Sequence, residues 1–331
     1  MNSRLFAILQ RARQAGHRLI RRSAPAPEPG RTPDSLWDQL PSDQFRKFLS
    51  DRTWGAVRQV HENQSFRVSG DRKVCWIDHF RERYFKDGFA GDTLSLGCGD
   101  GNFDRILKHY KFRFGSLLGV DISETCVAAA RQKAAEMNLA PRIEYTAADL
   151  NVYRPPENAF DFVFFFHSLH HVRELESLLP ACNRALRPGG VFLAVEYVGP
   201  SRFQWTDLQV RLADALLKLL PESLRYDPVR RQLRTEIVRV PEADMIRMDP
   251  SEAVRSADID AALKSAFDVV EEKNLGGTLN YLIFDGIGPH FQDQTPLHTA
   301  LVEFLIHHEN LLIDLGILPS DFKYYVGRRR R

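Results

Sequence analysis

The sequence predicts an α/β fold in which a mostly parallel sheet of seven strands carries helices on both faces. Short apolar runs alternate with amphipathic segments between residues 91 and 199, and no hairpin signal interrupts them. Parallel strands need such helical crossovers, because each connection must return to the opposite end of the sheet. Glycines and polar side chains follow the ends of the apolar runs, which is where open sheets of this type bind ligands.

The first strand ends in the glycine-rich stretch Gly97-Cys98-Gly99-Asp100-Gly101. Apolar residues at helical spacing follow from Phe103 to Tyr110. Glycine suits such a turn because it adopts dihedral angles that other residues avoid and lets a ligand approach the bare backbone. Backbone N–H groups at the start of the helix would face that ligand. The spacing G-x-G-x-G differs from the G-x-G-x-x-G of dinucleotide-binding proteins, which disfavours a nicotinamide-dependent oxidoreductase.

Acidic residues follow the second and third strands. The run Leu117–Val120 ends at Asp121, and the run Ile143–Thr146 is followed by Ala148-Asp149-Leu150. A carboxylate at the end of a second strand suits a vicinal diol, because it accepts hydrogen bonds from both ribose hydroxyls. Asp121 is therefore a candidate for binding a ribose.

The fourth and fifth strands end in further polar residues. Phe160–Phe166 is typical of a strand buried on both faces, and His167-Ser168-Leu169-His170-His171 follows it. Leu186-Arg187-Pro188-Gly189-Gly190 ends a helix and turns into the run Val191–Tyr197, in which Glu196 is the acidic residue. Because parallel strands bring their carboxyl ends to one edge, we expect these side chains to meet the glycine turn and the two aspartates there.

Taken in order, these segments resemble a class I S-adenosylmethionine (SAM)-dependent methyltransferase of the small-molecule type 11 or 12. The five motifs that match are LSLGCGDG (94–101), GVDIS (119–123), AADL (147–150), FDFVFFFHSLHHV (160–172) and LRPGGVFLAVE (186–196). A bacterial subgroup of that family is similar in three further stretches, namely EYVGPSRFQWTD (196–207), DPSEAVRS (249–256) and LPSDF (318–322). One position departs from the family, which usually has Asp or Glu where this sequence has Ser95, two residues before the first glycine. The carboxylate there normally orders the loop and helps to hold the amino group of the cofactor.

The resemblance implies a Rossmann-like class I methyltransferase fold, SAM as cofactor and S-adenosylhomocysteine as product. It implies that Asp121 binds the ribose, that Asp149 lies near the adenine amino group, and that Ile122 and Leu150 pack against the ring. The cofactor-binding residues expected on this basis are Ser95, Gly97, Cys98, Gly99, Gly101, Asp121, Ile122, Asp149, Leu150 and His167.

Catalysis of methyl transfer to a hydroxyl would be helped by a base near the hydroxyl proton. Glu196 is the first candidate for a base or for orienting the acceptor, and His170 and His167 are the others. A carboxylate after five apolar residues is costly to bury without a partner, so we expect a ligand or an arginine near Glu196. Packing or helix capping is the alternative for the histidines. Likewise, a group of arginines either clamps an anionic acceptor or forms a solvated face: Arg202, Arg225, Arg230 and Arg231.

The C-terminal part departs from simple alternation. Trp205–Leu220 predicts a helix, and Phe267–Val270 predicts the sixth strand. Leu279–Phe284 and Phe322–Val326 compete for the seventh, and the second matches the closing strand of the family better. The choice leaves Thr278–Gly316 as a helical insertion with a helix at Leu297–Leu315.

Before the first strand, the pattern from Ser35 to Phe89 is mostly helical, with a loop around Asn63–Asp71 and a helix from about Lys73 to Tyr84. The sequence thus divides into five parts. These are a basic N-terminal segment with a Pro-rich linker (1–34), a helical lid region (35–90), a SAM-binding core (91–199), a helical cap for the acceptor (200–266) and final strands with a helical insertion (267–331).

The expected partner is a small-molecule or glycan-precursor acceptor, and O-methylation is the expected reaction. N- or C-methylation, and a non-catalytic SAM-binding or partner-binding subunit of the same fold, stay open. A net charge of +2 does not suggest a nucleic-acid partner, and the Asn/Asp-Pro-Pro-aromatic motif of nucleic-acid amino-methyltransferases does not follow the fourth strand. The four cysteines lack C-x-x-C spacing, so we expect no metal site or disulfide framework and a reducing cytoplasm.

The first two dozen residues are basic and amphipathic, with six arginines and no acidic residue before Glu28. Three interpretations stay open: a solvated helix or tail, an anchor on an anionic membrane surface, and a cleaved organellar targeting segment. No apolar run approaches the ~20 residues needed to span a bilayer. The expected location is the cytoplasm, with peripheral contact at the inner membrane surface as the second interpretation. The oligomeric state stays open.

Overall fold

A twisted sheet organises residues 54–139, 142–228, 230–292 and 295–330, the part of the chain that the computed structural model describes. The strands there are β1 (Phe89–Leu96), β2 (Arg113–Asp121), β3 (Ile143–Ala147), β4 (Phe160–Phe166), β5 (Leu186–Tyr197), β6 (Tyr226–Asp227), β7 (Gln232–Leu233), β8 (Phe267–Gly276) and β9 (Phe322–Arg329). Seven of them form one sheet in the order β3-β2-β1-β4-β5-β9-β8, and β6 pairs with β7 alone. β1 to β5 pair in parallel, whereas β9 runs antiparallel to β5 and β8. The predicted fold class is confirmed.

Helices cover both faces of this sheet. In chain order they are α1 (Arg58–Ser69), α2 (Trp76–Tyr84), α3 (Asn102–His109), α4 (Glu124–Glu136), α5 (Leu175–Ala185), α6 (Asp207–Leu219), α7 (Glu222–Arg225), α8 (Glu242–Met248), α9 (Ile259–Ala266), α10 (Asn280–Phe284) and α11 (Pro296–Asp314). β4 shows why two layers are needed, since Phe162 and Phe164 enter one apolar cluster and Val163 and Phe165 enter the other. Every side chain in the middle of this strand is therefore buried, as alternation in a covered parallel sheet requires.

The order of the strands creates a cleft at the carboxyl edge of the sheet. β1 lies between β2 and β4, so the chain leaves β1 in one direction and returns to β4 on the other side. Such a reversal opens a crevice outside the carboxyl ends of the strands. The loops after β1, β2, β3, β4 and β5 therefore meet there.

The closing strand lies where the sequence predicts it. β9 contains Phe322–Val326, whereas the competing run Leu279–Phe284 lies at α10. The helical insertion is also confirmed, because α11 spans Pro296–Asp314. The apolar run that forms α10 is buried against other helices rather than paired with a strand, which hydropathy alone does not distinguish.

The predicted loop around Asn63–Asp71 is wrong over most of its length. α1 continues to Ser69, and Gly70 ends it in a left-handed conformation with φ of 81°. Polar side chains lie on the buried side of this helix. The side chains of Asn63 and Asn310 form two hydrogen bonds with each other, of 2.7 and 3.4 Å. A helix whose buried side is polar lacks the apolar period from which a helix is predicted.

The N-terminal prediction lies outside the described residues, which begin at 54. Within the described part, no helix combines the length and the apolar character that crossing a bilayer requires. The five-part division of the chain stays a prediction.

Candidate active site

The turn after β1 can only be made by glycine. Gly97, Gly99 and Gly101 have φ of 67°, 55° and 69°, the left-handed region that other residues avoid. A Cβ atom on Gly97 would overlap with the side chain of Ser168, and a Cβ on Gly101 would overlap with the hydroxyl of Tyr145. The backbone of this loop is therefore packed on one side against two neighbouring strand ends.

Hydrogen bonds fix the loop to β2 and β4. The amides of Gly97 and Cys98 donate to the carbonyl oxygen of Val120 over 2.8 and 3.1 Å. From the other side, the Ser168 hydroxyl donates to the carbonyl oxygen of Leu96 over 2.7 Å. Cys98 itself is half-buried and forms no disulfide. The three strand ends thus form one connected structure.

Asp121 contacts the glycine loop directly. Its Oδ2 accepts a hydrogen bond from the Gly99 amide over 2.7 Å, and its Oδ1 accepts one from the Ser123 amide over 3.0 Å. Ser123 in turn caps α4 by accepting from the Cys126 amide. The carboxylate is half-buried, as is Ile122 beside it. Asp121 therefore orders the loop, and its bond to a ribose stays a prediction.

The loop after β3 lies beside Asp121. The Ala148 amide donates to the Asp121 carbonyl oxygen over 2.9 Å. Asp149 is half-buried, and its Oδ1 accepts from the amide and the side chain of Asn151 over 2.8 and 2.7 Å. Leu150 is buried in the apolar cluster below. The structure thus brings together the glycine loop and both predicted aspartates, while their contacts with adenine stay a prediction.

Ser95 does not face solvent. Its side chain is 2% exposed, and its hydroxyl donates to Asp104 Oδ1 over 2.7 Å. The carboxylate that is missing at position 95 is therefore present nearby, contributed by the first turn of α3.

His167 lies at the tip of β4 in a left-handed conformation with φ of 52°. Its amide donates to the Val195 carbonyl oxygen over 2.9 Å. The ring reaches solvent but lies among aromatic groups, with centroids 4.4 Å from Phe166 and 5.7 Å from Phe322. Desolvation lowers the pKa of His167 to about 4. Its imidazole is therefore neutral near pH 7.

Glu196 is fully buried, and its role as the base or as an acceptor-orienting residue stays a prediction. The side chain is 0% exposed. Its Oε1 accepts from the amides of Ser168 and Leu169 over 2.5 and 2.6 Å, and its Oε2 lies 2.8 Å from His170 Nδ1. Burial alone would raise the pKa of Glu196, but His170, His167 and the Leu169 amide outweigh it and lower the pKa. The expected ligand or arginine is replaced by two backbone donors and a histidine.

His170 is held from two sides. Nδ1 faces Glu196, and Nε2 lies 3.5 Å from Glu252 Oε1. Burial opposes the charged form, but Glu196 and Glu252 outweigh it and raise the pKa of His170. The arrangement resembles a general base with its orienting carboxylate.

Residues of the stretch 249–256 contact His170 and His171 from another part of the chain. Ser251 Oγ lies 3.1 Å from His171 Nδ1, and the Ser251 hydroxyl donates to Asp249 over 2.7 Å. One ligand atom from each of His170, His171 and Glu252 lies within 4.8 Å of the others, so these three side chains form a candidate metal-binding group. Sequence reasoning missed Ser251 and Glu252, which are 80 residues or more from the histidines. The only signal was the similarity of this stretch to a bacterial subgroup.

The arginines that were candidates for an anion clamp are bonded within the chain. Arg202 is 8% exposed and donates to the carbonyl oxygens of Glu252 and Pro250 over 2.9 Å each. Arg225 donates to the Leu220 carbonyl oxygen over 3.0 Å. Arg230 forms ion pairs with Asp227 and Asp285, while Arg231 is exposed. These contacts stabilise the cap and do not indicate an acceptor.

Aromatic residues surround the tips of β4 and β9. The rings of Phe103 and Phe166 stack 3.8 Å apart, with Trp76 6.2 Å from Phe166. From α10, Tyr281 lies 5.5 Å from Phe322. Trp76 and Tyr281 are half-buried. The surroundings of His167 are therefore largely aromatic.

Comparisons with known proteins agree with this geometry. Residues 94–194 match a family model described as a methyltransferase domain. Over 178 residues the chain is 29% identical to the ubiquinone biosynthesis O-methyltransferase of Pseudomonas paraeruginosa, which covers 52% of this chain and 68% of that protein. Over 107 residues it is 32% identical to the trans-aconitate 2-methyltransferase of Variovorax paradoxus, covering 32% of this chain and 38% of that protein.

A solved structure shares the fold. Phosphoethanolamine N-methyltransferase 2 of Haemonchus contortus, in complex with SAM, aligns with a TM-score of 0.54 and 17% identity over 93% of this chain. The alignment spans 62% of the chain in that structure. The residues present also fit the cofactor, since the bare loop backbone offers N–H groups and Asp104 keeps a buried oxygen without a hydrogen-bond partner among the described residues. The matched domain and the relatives support a SAM-dependent methyltransferase, and the fold is the Rossmann-like fold of class I methyltransferases.

Proposed function

We propose that this enzyme methylates a hydroxyl group of a small molecule or glycan precursor, with His170 as the base. The observation that carries the proposal is the 2.8 Å contact between His170 Nδ1 and a fully buried Glu196. A hydroxyl acceptor has a proton to remove, and an imidazole oriented by a carboxylate is suited to removing it. The name of the O-methyltransferase relative supports the choice of a hydroxyl.

Different residues of the chain would bind the cofactor, accept the proton and exclude water. SAM, when bound, supplies an activated methyl group for attack by a nucleophile. The glycine loop and Asp121 would hold it at the ends of β1 and β2. His170 would accept the hydroxyl proton at Nε2, while Glu196 fixes the ring and stabilises its positive charge. The aromatic walls near His167 would exclude water and orient the acceptor.

The reaction is tested by mutating the base. His170→Ala is expected to lower turnover by about 10²- to 10⁴-fold, because proton transfer in the transition state is lost. SAM affinity, measured by calorimetry, is expected to stay within about twofold, because Asp121 and the loop are unchanged. The control His109→Ala removes a histidine at the end of α3, away from the strand tips, and should leave both quantities unchanged. Turnover is measured on a panel of hydroxyl, amine and carbon acceptors.

The pH profile distinguishes a base from a packing residue. A base must be neutral, so activity should rise with pH through the pKa of His170, which lies above the ordinary value of about 6.5. Glu196→Gln removes the charge that raises this pKa, and the profile should move to lower pH while the rate falls. Full turnover by His170→Ala with an unchanged pH profile would contradict the proposal.

A divalent cation at His170, His171 and Glu252 is the second candidate for activating the acceptor, because their ligand atoms lie within 4.8 Å of one another. The same assay decides between them. If His170 is the base, dialysis against a chelator leaves turnover unchanged. Loss of turnover that zinc or magnesium restores would assign the histidines to a metal instead.

A further inference from the structure

The loop of this enzyme has a carboxylate in an unusual place. Ser95 occupies the position where the family usually has Asp or Glu, and its hydroxyl donates to Asp104 Oδ1 over 2.7 Å. Asp104 is the third residue of α3, the helix that begins directly after Gly101. The two residues are nine positions apart, but the turn of the chain brings them into contact. The carboxylate is therefore on the helix α3 instead of on the strand β1.

Asp104 is buried without full compensation. The side chain is 1% exposed, and Oδ2 is buried with no hydrogen-bond partner in the described part of the chain. A buried carboxylate oxygen without a partner is costly, so such an atom indicates a function or a missing ligand. Ser95 donates to Oδ1, and the Tyr145 hydroxyl is the other polar group beside the carboxylate.

The charged neighbours do not neutralise Asp104. Arg105, the next residue, points to Asp100 and donates to its carbonyl oxygen over 2.6 Å. Asp100 is itself paired with Lys133 over 2.7 Å. The hydroxyl of Tyr145 on β3 lies beside the carboxylate, and it is neutral because burial raises the pKa of this phenol well above its usual range. Desolvation raises the pKa of Asp104 to about 6, with Asp100 adding to the rise and Ser95, Tyr145 and Arg105 opposing it.

The position of this charge relates it to the cofactor. A Cβ on Gly101 would overlap with the Tyr145 hydroxyl, so Tyr145 and its neighbour Asp104 lie immediately below the glycine loop. Ser95 pairs with Gly119 and Phe164 in the sheet, at the end of β1 where the loop begins. The amino-acid part of SAM carries an ammonium group, which a negative charge at this place would attract.

We propose that Asp104, acting through Ser95, supplies the negative charge that attracts the ammonium group of the cofactor and replaces the usual strand carboxylate. It is a positioning residue, because its carboxylate is buried and bonded to Ser95. The proposal concerns binding of the cofactor and does not depend on the acceptor. An electrostatic role differs from a structural one in three measurable ways.

The first measurement compares two ligands. S-Adenosylhomocysteine and 5′-methylthioadenosine share the adenosine and the thioether sulfur, but only the former has the ammonium group. By calorimetry at pH 7.5, Asp104→Asn should weaken S-adenosylhomocysteine binding by about tenfold, because a negative charge near the ammonium group is lost. Binding of 5′-methylthioadenosine should change less than twofold. Asp268→Asn, an exposed acid at the far edge of the sheet, is the matched control.

The second measurement needs no mutation. Only ionised Asp104 attracts the ammonium group, so affinity for S-adenosylhomocysteine should rise with pH through about 6. About a tenfold gain between pH 5 and 7 is expected, since each pH unit below the pKa reduces the ionised fraction about tenfold. Binding of 5′-methylthioadenosine should not follow pH in this window, and Asp104→Asn should flatten the profile for S-adenosylhomocysteine.

The third measurement is an exchange. The double variant Ser95→Asp with Asp104→Ser returns the carboxylate to the strand and should restore S-adenosylhomocysteine affinity to within about threefold of the original. Equal loss for both ligands in Asp104→Asn, a flat profile in the original protein, or a failed exchange in a folded variant would each overturn the proposal. None of these outcomes depends on methyl transfer, so the proposed hydroxyl acceptor is tested separately.

Discussion

At Gly97 the backbone and its neighbour leave no volume for a side chain. The residue has φ of 67°, and an added Cβ would overlap with Ser168, which itself bonds to Leu96. Two costs therefore combine, the unfavourable dihedral angle and the steric clash. Both act on the loop that would carry the cofactor.

Gly97→Ala is expected to weaken SAM binding at least tenfold, because the clash displaces the loop and its backbone N–H groups. Gly189→Ala is the control, since Gly189 has φ of 84° but nothing lies within 4 Å of an added Cβ. The control should cost about 1–2 kcal/mol of unfolding free energy from the dihedral angle alone, with SAM affinity unchanged. Calorimetry and urea unfolding measure the two quantities. Equal SAM affinity in both variants would contradict the assignment of the loop.

Glu196 and Ser95 show what single residues in a pattern do and do not indicate. Both occupy positions predicted to contact a ligand, and both are buried. Each instead holds a second residue, His170 and Asp104 respectively. The residue types at strand ends therefore indicate where the site is, whereas the partner of each buried group depends on distant parts of the chain.

At the scale of elements, the stretch 249–256 completes the surroundings of His170. Arg202 binds the carbonyl oxygens of Pro250 and Glu252, and the Val254 amide donates to the His170 carbonyl oxygen over 3.1 Å. Arg255 pairs with Glu176 on α5. These contacts hold a cap loop against the end of β4, so the position of Glu252 depends on Arg202.

Arg202→Lys is expected to lower turnover by about 10- to 100-fold while SAM affinity stays unchanged. Lysine keeps the charge but loses the planar fork that binds two carbonyl oxygens at once, and a small displacement of the loop misplaces the groups around His170. Arg225→Lys is matched to it, because Arg225 also donates to two carbonyl oxygens, of Leu220 and Arg234. Steady-state kinetics with both variants make the comparison. Equal effects of the two substitutions would show general loss of stability rather than loss of positioning.

At the scale of the whole molecule, β9 joins the cap to the sheet through a buried acidic residue. Asp321 is 0% exposed and accepts from Gln209 of α6 over 3.0 Å, and Gln209 donates to Thr278 over 2.6 Å. Burial, with a smaller contribution from Glu309, raises the pKa of Asp321 to about 8. Near neutral pH this carboxyl group is therefore protonated in the folded protein.

This raised pKa predicts how stability varies with pH. The unfolded chain ionises Asp321 near its ordinary pKa of about 4, whereas the folded chain keeps the proton up to about 8. The group therefore stabilises the fold fully below about pH 4 and loses that contribution as pH rises to about 8, by at most about 1.4 kcal/mol per pH unit. Asp321→Asn should remove this dependence. The unfolding free energy of the variant minus that of the original protein should therefore rise with pH. Urea unfolding at pH 5, 6 and 7 measures it, and a constant difference would contradict the prediction.

The sequence by itself determined the α/β fold, the glycine turn and the edge of the sheet at which the strand-end loops meet. These follow from local rules, because strand alternation, glycine geometry and the parallel arrangement are encoded within short segments. It also selected β9 over Leu279–Phe284 by resemblance, but it placed a loop over the second half of α1, where polar residues such as Asn63 and Ser65 are buried.

Only the tertiary structure decided which groups meet. The pairs His170 with Glu252, Ser95 with Asp104 and Gln209 with Asp321 join different elements. A buried polar group takes whatever partner the packing of distant elements brings to it, and hydropathy does not encode that partner. For this reason the meeting of the strand-end loops could be predicted from the sequence, whereas the partners of Glu196 and Asp104 could not.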